Sequence, residues 1–368
     1  MIKIKPFCGI RYSGKDVSDL ICPPYDVVSR TEKKLLLKKS RSNAVRIEMP
    51  EEYSLARKCF NDLKSKGILV REEKPSFYFC RHDFTYGGKK YSRTGFFALF
   101  KTEKFGKNIF AHEKTHLGPK IDRLNLLKAA GISTSPIFCL FSDKKNLFRN
   151  IFLKAAKTPA DFFAKTKNSS EKIWVVNDEL LTARIVKNFK NTRMLIADGH
   201  HRYETFYRYT GGGYIMSFLC PFEDRGLLIL PTHRILRNVK ENDFSLLKKY
   251  FTVKETAAIK IIPDGKVGLY YGKRYYILIR NEKSRGSALE YLHKTFLRNK
   301  AVDYVKSAGE AVKSAGKNDM VFLIRPIGIW ELKNVLKTGA ILPQKSTYFY
   351  PKVSTGIVFN DLTEKQAG

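Results

Sequence analysis

The feature that most constrains this chain is the run Met194-Leu-Ile-Ala-Asp-Gly-His-His-Arg-Tyr-Glu-Thr-Phe-Tyr-Arg208. Met194 to Ala197 is apolar and reads as a short buried strand. Asp198-Gly199 breaks it, and Tyr203 to Tyr209 reads as the start of a helix. A strand that passes through a glycine turn into a helix brings unbonded N–H groups and the positive end of the helix dipole to one point. That arrangement suits an anion. His200, His201 and Arg202 add donors matched to phosphate oxygens. The run predicts a phosphate-binding turn; the alternatives are a solvated basic turn or histidines packed into a core.

The chain has 368 residues, enough for two or three lobes, and 43% are hydrophobic, which fits a folded protein. Its formal net charge is +33, from 68 Lys and Arg against 35 Asp and Glu. Such an excess points to a polyanionic partner, either nucleic acid or phosphorylated ligands. The excess is spread along the whole chain, so a general lysine bias gives the same balance. None of the six cysteines forms a CxxC pair, so reduced thiols buried as small hydrophobes are expected. The N-terminus does not read as a signal peptide. No apolar run approaches the roughly 20 residues of a membrane span. A cytoplasmic protein with no membrane association is expected.

Taken in order, the pattern reads as α+β, with mixed sheets and flanking helices. Pro23-Pro24 forbids helix and sheet, so Cys22 to Asp26 is a rigid extended loop. Asp26 is either a turn former or a carboxylate held over a site. Ser29 with Glu32 is a capping box that opens a helix to about Lys39. Asn43 to Met49 reads as a strand with Arg46 and Glu48 on one face, and Tyr53 to Lys66 as a helix. Phe77 to Thr85, Gly87-Gly88 and Lys90 to Lys101 read as a long hairpin. His112-Glu-Lys-Thr-His116 has the letters of a zinc helix, but Gly118-Pro119 follows at once. A loop carrying Glu113 and Thr115 toward a site is the better reading. A helix is expected from Asp122 to Ala130, with Asp122-Arg123 either a structural ion pair or part of the site.

Ile132 to Phe141 reads as a buried strand broken at Pro136, and residues 142–170 as peripheral. After the central run, His233-Arg234 pairs a second imidazole with a guanidinium, or sits as a satisfied loop. Lys345, Ser346 and Thr347, with Lys352, are phosphate-type ligands among aromatics, or an exposed terminal loop. Tyr348 to Pro351 is apolar enough to pack back on the body.

Two resemblances follow from these motifs. Lys5-Pro6-Phe7 with Gly9-Ile10-Arg11, Cys22-Pro23-Pro24-Tyr25-Asp26-Val27, Asn43 with Arg46, His112-Glu113-Lys114-Thr115, Gly118-Pro119-Lys120, Asp122-Arg123, Ala197 to Glu204, Pro231-Thr232-His233-Arg234 and Pro343 to Lys352 resemble, from end to end, the prokaryotic family called domain of unknown function 1015. Separately, Asp198-Gly199-His200-His201-Arg202 resembles the phosphate-binding box of the ParB and sulfiredoxin superfamily, which includes free-serine kinases. This second likeness covers about ten residues. It implies a ParB/sulfiredoxin-like core with large N- and C-terminal additions. The expected lobes are 1–105, α+β; 106–240, the phosphate-binding core; and 241–368, α+β, with a tail that packs back on the site.

The resemblance to the kinases implies phosphoryl transfer to a small hydroxyl metabolite, with free L-serine as the acceptor. In those kinases a Glu upstream of the box is the base, and Glu113 stands in that place here; His201 joins it as a catalytic candidate. Asp198, Gly199, His200 and Arg202 would hold the donor, with His233, Arg234, Lys345, Ser346 and Thr347. Tyr25, Asp26, His112, Thr115 and Arg123 would face the acceptor, and Asp198 would place Mg²⁺. The donor is ATP, ADP or pyrophosphate, and the charge suits the compact pyrophosphate. No P-loop is present. The competing reading is a nucleic-acid-binding or nuclease protein of ParB-like type.

Overall fold

The computed structural model describes residues 1–113, 117–281 and 287–364. The chain divides into two compact units, Met1–Leu227 with Pro351–Gly368, and Leu228–Tyr350. The architecture is α+β with mixed sheets, as the alternation of strand and helix patterns predicts.

The larger unit is built on a nine-stranded sheet. Its centre is the hairpin Phe77–Tyr86 and Lys89–Lys101, turned at Gly87-Gly88 as its sequence predicts. Outward from Lys89–Lys101 come Tyr214–Pro221, Ile137–Phe141, Met194–Asp198 and Ile109–Ala111. Two neighbour pairs here are parallel: Tyr214–Pro221 with Ile137–Phe141, and Met194–Asp198 with Ile109–Ala111. On the other side lie Ser169–Val176 and Phe162–Lys165, both antiparallel. The expected boundary near residue 105 falls within this unit, because strands on both sides of it share one ladder.

Alternation along the strands gives the sheet two different faces. On one, Phe77, Phe79, Phe96, Ala98, Phe100, Met194 and Ile196 pack on three helices, Leu147–Ala155, Glu179–Phe189 and His200–Thr210. Residues 142–170 are therefore not peripheral. Phe148, Ile151 and Phe152 sit in the main core, because their spacing of three and four puts them on one helical face. The other face carries Tyr78, Cys80, His82 and Arg93. Residues 351–361 are tied to this unit: Pro351 O to Arg93, Thr355 to Cys22, Phe359 to Ile10, and Asn360-Asp361 to Ile132-Ser133.

Two local expectations need correction. Asn43 to Met49 is not a strand but leads into the short helix Val45–Glu48. Asn43 decides this: its Nδ2 donates to Asp19 O and Ile21 O at 2.7 and 3.0 Å, and its Oδ1 accepts the Val45 N–H at 2.9 Å. Such a side-chain-to-backbone turn favours a helix start over a strand. The helix expected from Asp122 begins earlier, at Leu117, and runs to Ala130. Pro119 is tolerated because first-turn N–H groups have no intrahelical acceptor.

The smaller unit holds a six-stranded antiparallel sheet, in the order Phe251–Thr256, Arg274–Arg280, Val267–Tyr271, Met320–Leu323, His233–Leu236, Asp303–Val305. Fully buried Arg234 organises its interior. The guanidinium donates to Thr232 O, to Gln344 O and Lys345 O at 3.0 and 3.1 Å, and to His293 Nε2 at 3.2 Å. Burial first, and then the Arg234 charge, push His233 and His293 down to about 4.

Two outcomes are expected. A Cβ on Gly95 would lie 2.4 Å from Phe218 Cζ and 2.7 Å from the Leu219 carbonyl oxygen. Gly95→Ala should destabilise the larger unit by about 1–3 kcal/mol in urea denaturation; an unchanged midpoint would contradict this strand register. In the smaller unit, His233 and His293 are neutral when folded and protonate more readily when unfolded. Stability should be full above pH 6.5, the ordinary imidazole value, and fall from there toward pH 4, by up to about 1.4 kcal/mol per pH unit for each histidine. His293→Gln should make that acid limb shallower in thermal melts.

Candidate functional site

Strand pairing assembles the centre of the site. Ile109–Ala111 runs parallel to Met194–Asp198, with Met194 opposite Ile109 and Ile196 opposite Ala111. Parallel strands finish on the same edge, so His112-Glu113 emerges beside Asp198-Gly199-His200. The His112 Nδ1–H donates to Ile196 O at 2.8 Å, and its ring meets that of His200 edge-on, with centroids 4.8 Å apart. Gly199 turns strand into helix at φ 90°. A Cβ there would lie 3.0 Å from Ile137 Cδ1 and 3.1 Å from Arg202 Nη2, so both backbone and space call for glycine. The first intrahelical bond is Tyr203 N–H to Gly199 O at 2.9 Å. The amides of His200, His201 and Arg202 thus precede any intrahelical acceptor.

His200 is buried, with Nδ1 3.6 Å from Glu113 Oε1. Burial, with His112 beside it, holds its pKa well below 6.5, so the ring is neutral. Burial lowers His112 too. Two adjoining neutral imidazoles and a half-buried carboxylate therefore flank the turn.

The opposite flank carries the charge. Asp198 Oδ2 accepts from Arg202 Nη2 at 3.0 Å, and Asp198 Oδ1 is bonded to Lys352 Nζ. Lys352 Nζ also lies 3.9 Å from Asp26 Oδ2. Burial alone would raise the Asp198 pKa, but Lys352 and Arg202 outweigh it and hold the carboxyl at about 2. Arg202 Nη1 donates to Ser135 Oγ at 2.9 Å and Pro136 O at 2.6 Å. Ser135 in turn donates to buried Glu48 at 3.2 Å, and Glu48 also accepts from Thr134. Arg123 completes the ring of contacts. It pairs with Asp122 at 2.6 Å, donates to Glu48 O at 3.1 Å, and lies 4.0 Å over the Tyr25 ring. Burial pushes the Tyr25 phenol up to about 12, so it stays a hydrogen-bond donor.

Among the expected site residues, Tyr25, Asp26, His112, Glu113, Arg123 and Asp198 to Arg202 therefore all belong to the larger unit. His201 is the second residue of the helix and is half-buried. Thr115 lies outside the described residues, as do Lys114 and His116 of the H-E-K-T-H letters. His233, Arg234, Lys345, Ser346 and Thr347 belong to the smaller unit. There, Arg234 holds the carbonyls of residues 344 and 345, His233 Nδ1 accepts the Ile324 N–H at 3.0 Å, and Ser346 Oγ donates to Pro343 O.

Sequence reasoning left out Glu48 and Ser135 as site members, and named Lys352 only as a phosphate-type ligand of the tail motif. Lys352 had a signal, as the last residue of the tail motif. Glu48 was hidden in a segment read as a strand, and Ser135 in the break at Pro136. Asp198 does not fit the expected metal ligand, since a cation already engages each carboxylate oxygen. Among the described residues no three His, Cys, Asp or Glu side chains are grouped to hold a metal ion.

Comparison with known proteins places this chain in a family. No curated protein matches the chain. Among solved structures it is similar to SbnI with C-terminal truncation from Staphylococcus aureus, with a TM-score of 0.45, 11% identity, and coverage of 70% of this chain and 85% of that one. It is similar to a free serine kinase in complex with AMP, at TM-score 0.44, 15% identity, and 70% and 89% coverage. A conserved hypothetical protein from Pyrococcus furiosus matches at TM-score 0.42, 16% identity, and 70% and 93% coverage. The family profile described as "Protein of unknown function (DUF1015)" matches residues 4–304, and with most of its length so matched the chain belongs to that family.

Proposed function

We propose that this protein is a small-molecule phosphotransferase that moves a phosphoryl group from a nucleotide or pyrophosphate to a metabolite hydroxyl, with free L-serine as acceptor. One observation carries the reading. The Asp198-Gly199-His200-His201-Arg202 turn presents a helix N-terminus, and Glu113 from the parallel neighbouring strand lies 3.6 Å from His200. A base and an anion cradle thus adjoin, and phosphoryl transfer needs positioning and charge neutralisation above all.

In this reading the first-turn amides, His200 and His201 receive the donor's phosphates. Arg202, through Ser135 and the Pro136 carbonyl, holds the turn in shape while its charge offsets Asp198. Glu113 accepts the hydroxyl proton. The freed oxygen forms the new P–O bond as the bridging P–O bond of the donor breaks. Phosphate leaves from pyrophosphate, or a shorter nucleotide from ATP or ADP, taking the bonding electron pair. Tyr25, Asp26 and Arg123 flank the acceptor. Mg²⁺, which commonly binds through substrate phosphates, would arrive on the donor and not on Asp198.

Incubation with L-serine and each of ATP, ADP and pyrophosphate, followed by phosphorus NMR, should yield phosphoserine with at least one donor. If no donor is consumed, and DNA or RNA binds with steep salt dependence, the nucleic-acid reading takes its place. Glu113→Gln should lower turnover by about 10²–10⁴-fold with donor affinity nearly unchanged; unaltered turnover removes Glu113 as base. Folded Arg202→Ala and His201→Ala variants should lose most activity, and full activity in both would sink the phosphate-turn reading.

A further inference from the structure

Lys352 reaches Asp198 on a short strap, and buried charged groups hold that strap on both sides of it. Arg93, in the long hairpin, is 0% exposed, and its guanidinium lies 5.1 Å over Phe138. Its Nη2 donates to the carbonyl of Pro351, the residue before Lys352, at 2.9 Å. The same nitrogen is 3.2 Å from His82 Nδ1. Glu171 stands opposite His82 in the ladder, with its carboxylate 3.5 Å from that imidazole. Glu171 accepts hydrogen bonds from the side chain and backbone of Ser354, two residues past Lys352. One step further, Thr355 exchanges two backbone bonds with Cys22, at 3.1 and 2.8 Å, and so joins the strap to the loop that carries Tyr25 and Asp26.

A buried guanidinium is a poor choice for stability alone. Replacing buried ion clusters by apolar side chains is often neutral or stabilising. Here the Nε and Nη1 of Arg93 and the Nε2 of His82 are buried without hydrogen-bond partners, which adds to the cost. What the cluster does provide is a fixed point for the strap on each side of Lys352. The ammonium itself is seated between Asp198 and Asp26, beside the phosphate turn. An ammonium has three donors and no planar constraint, so it can keep its Asp198 bond while donating to a phosphoryl oxygen.

We propose that Lys352 is a donor-phosphate ligand of this site, and that buried Arg93 is the residue that positions it, acting through the Pro351 carbonyl. The proposal rests on the phosphotransfer reading. Lys352 would supply at Asp198 the positive charge that a protein-bound metal supplies elsewhere.

Titration calorimetry with inorganic pyrophosphate and with ADP, each in the presence of Mg²⁺, tests it, alongside turnover and thermal melts. Lys352→Ala should weaken binding of the preferred donor at least tenfold, and Lys352→Arg should restore part of it. Arg93→Lys should also weaken donor binding. In the double variant, Lys352→Ala should cost much less than it does alone, because a misplaced Lys352 has little left to lose. If Arg93→Lys does not fold, Ser354→Ala, at the strap's other anchor, takes its place in the cycle. Equal donor affinity in wild type and Lys352→Ala overturns the Lys352 assignment. Effects that simply multiply in the double variant overturn the positioning role. A folded wild type that binds neither donor and makes no phosphoserine overturns the phosphotransfer reading itself, and is told apart because the wild type alone shows it.

Discussion

The larger unit's site depends on one carboxylate. Asp198 sits at the end of a buried strand, largely shielded from water, and faces Arg202 and Lys352 on separate oxygens. In such a place an unpaired charge costs several kcal/mol, and breaking one side of a buried pair typically costs about 3–5 kcal/mol. Each cation brings its own structure with it. Arg202 reaches on to Ser135 and Pro136, which fixes the break between two strands. Lys352 brings the strap, and the strap brings the Pro23-Pro24 loop through Thr355 and Cys22. Three segments distant in sequence are thus held to one carboxylate.

The position of that carboxylate follows from topology. In open sheets with parallel neighbours, the carboxyl ends of the strands and the following helix N-terminus define a crevice. Met194–Asp198 and Ile109–Ala111 form such a pair at one edge of the sheet, so their two exits, Asp198-Gly199-His200 and His112-Glu113, are adjacent for purely geometric reasons. A one-residue slip in that pairing would move Glu113 about 3.3 Å along the strand and swing its side chain to the other face.

Much of this was legible in the sequence wherever the pattern was local. The hairpin, the glycine turn and the helix after it are set by side-chain alternation and by Gly199, and each is found as its residues predict, with the helix starting three residues earlier than expected, at His200. The failures lie where a distant partner decides. Asn43 makes a helix of a strand-like run because carbonyls some twenty residues earlier accept its amide. Phe148 and Phe152 look like a greasy patch in a lysine-rich stretch until the Phe79 and Phe96 rings that receive them are known. The tail motif reads as one cluster, yet its two halves belong to different units, with the division between Tyr350 and Pro351. No periodicity marks that point.

Charge shows why the net excess and the site must be argued separately. The chain carries +33, but among the described side chains around the turn five carboxylates, Asp26, Glu48, Glu113, Asp122 and Asp198, stand against three cations, Arg123, Arg202 and Lys352. The lysine surplus along the chain raises the potential over the surface and draws anions inward from a distance. Among these described side chains the balance reverses. The helix dipole, worth about half a charge, offsets only part of that difference. In the phosphotransfer reading, a donor that enters with Mg²⁺ on its phosphates would bring the missing charge with it. In that reading these acidic side chains would favour a metal-bearing donor over a free phosphate and over the phosphate backbone of a nucleic acid.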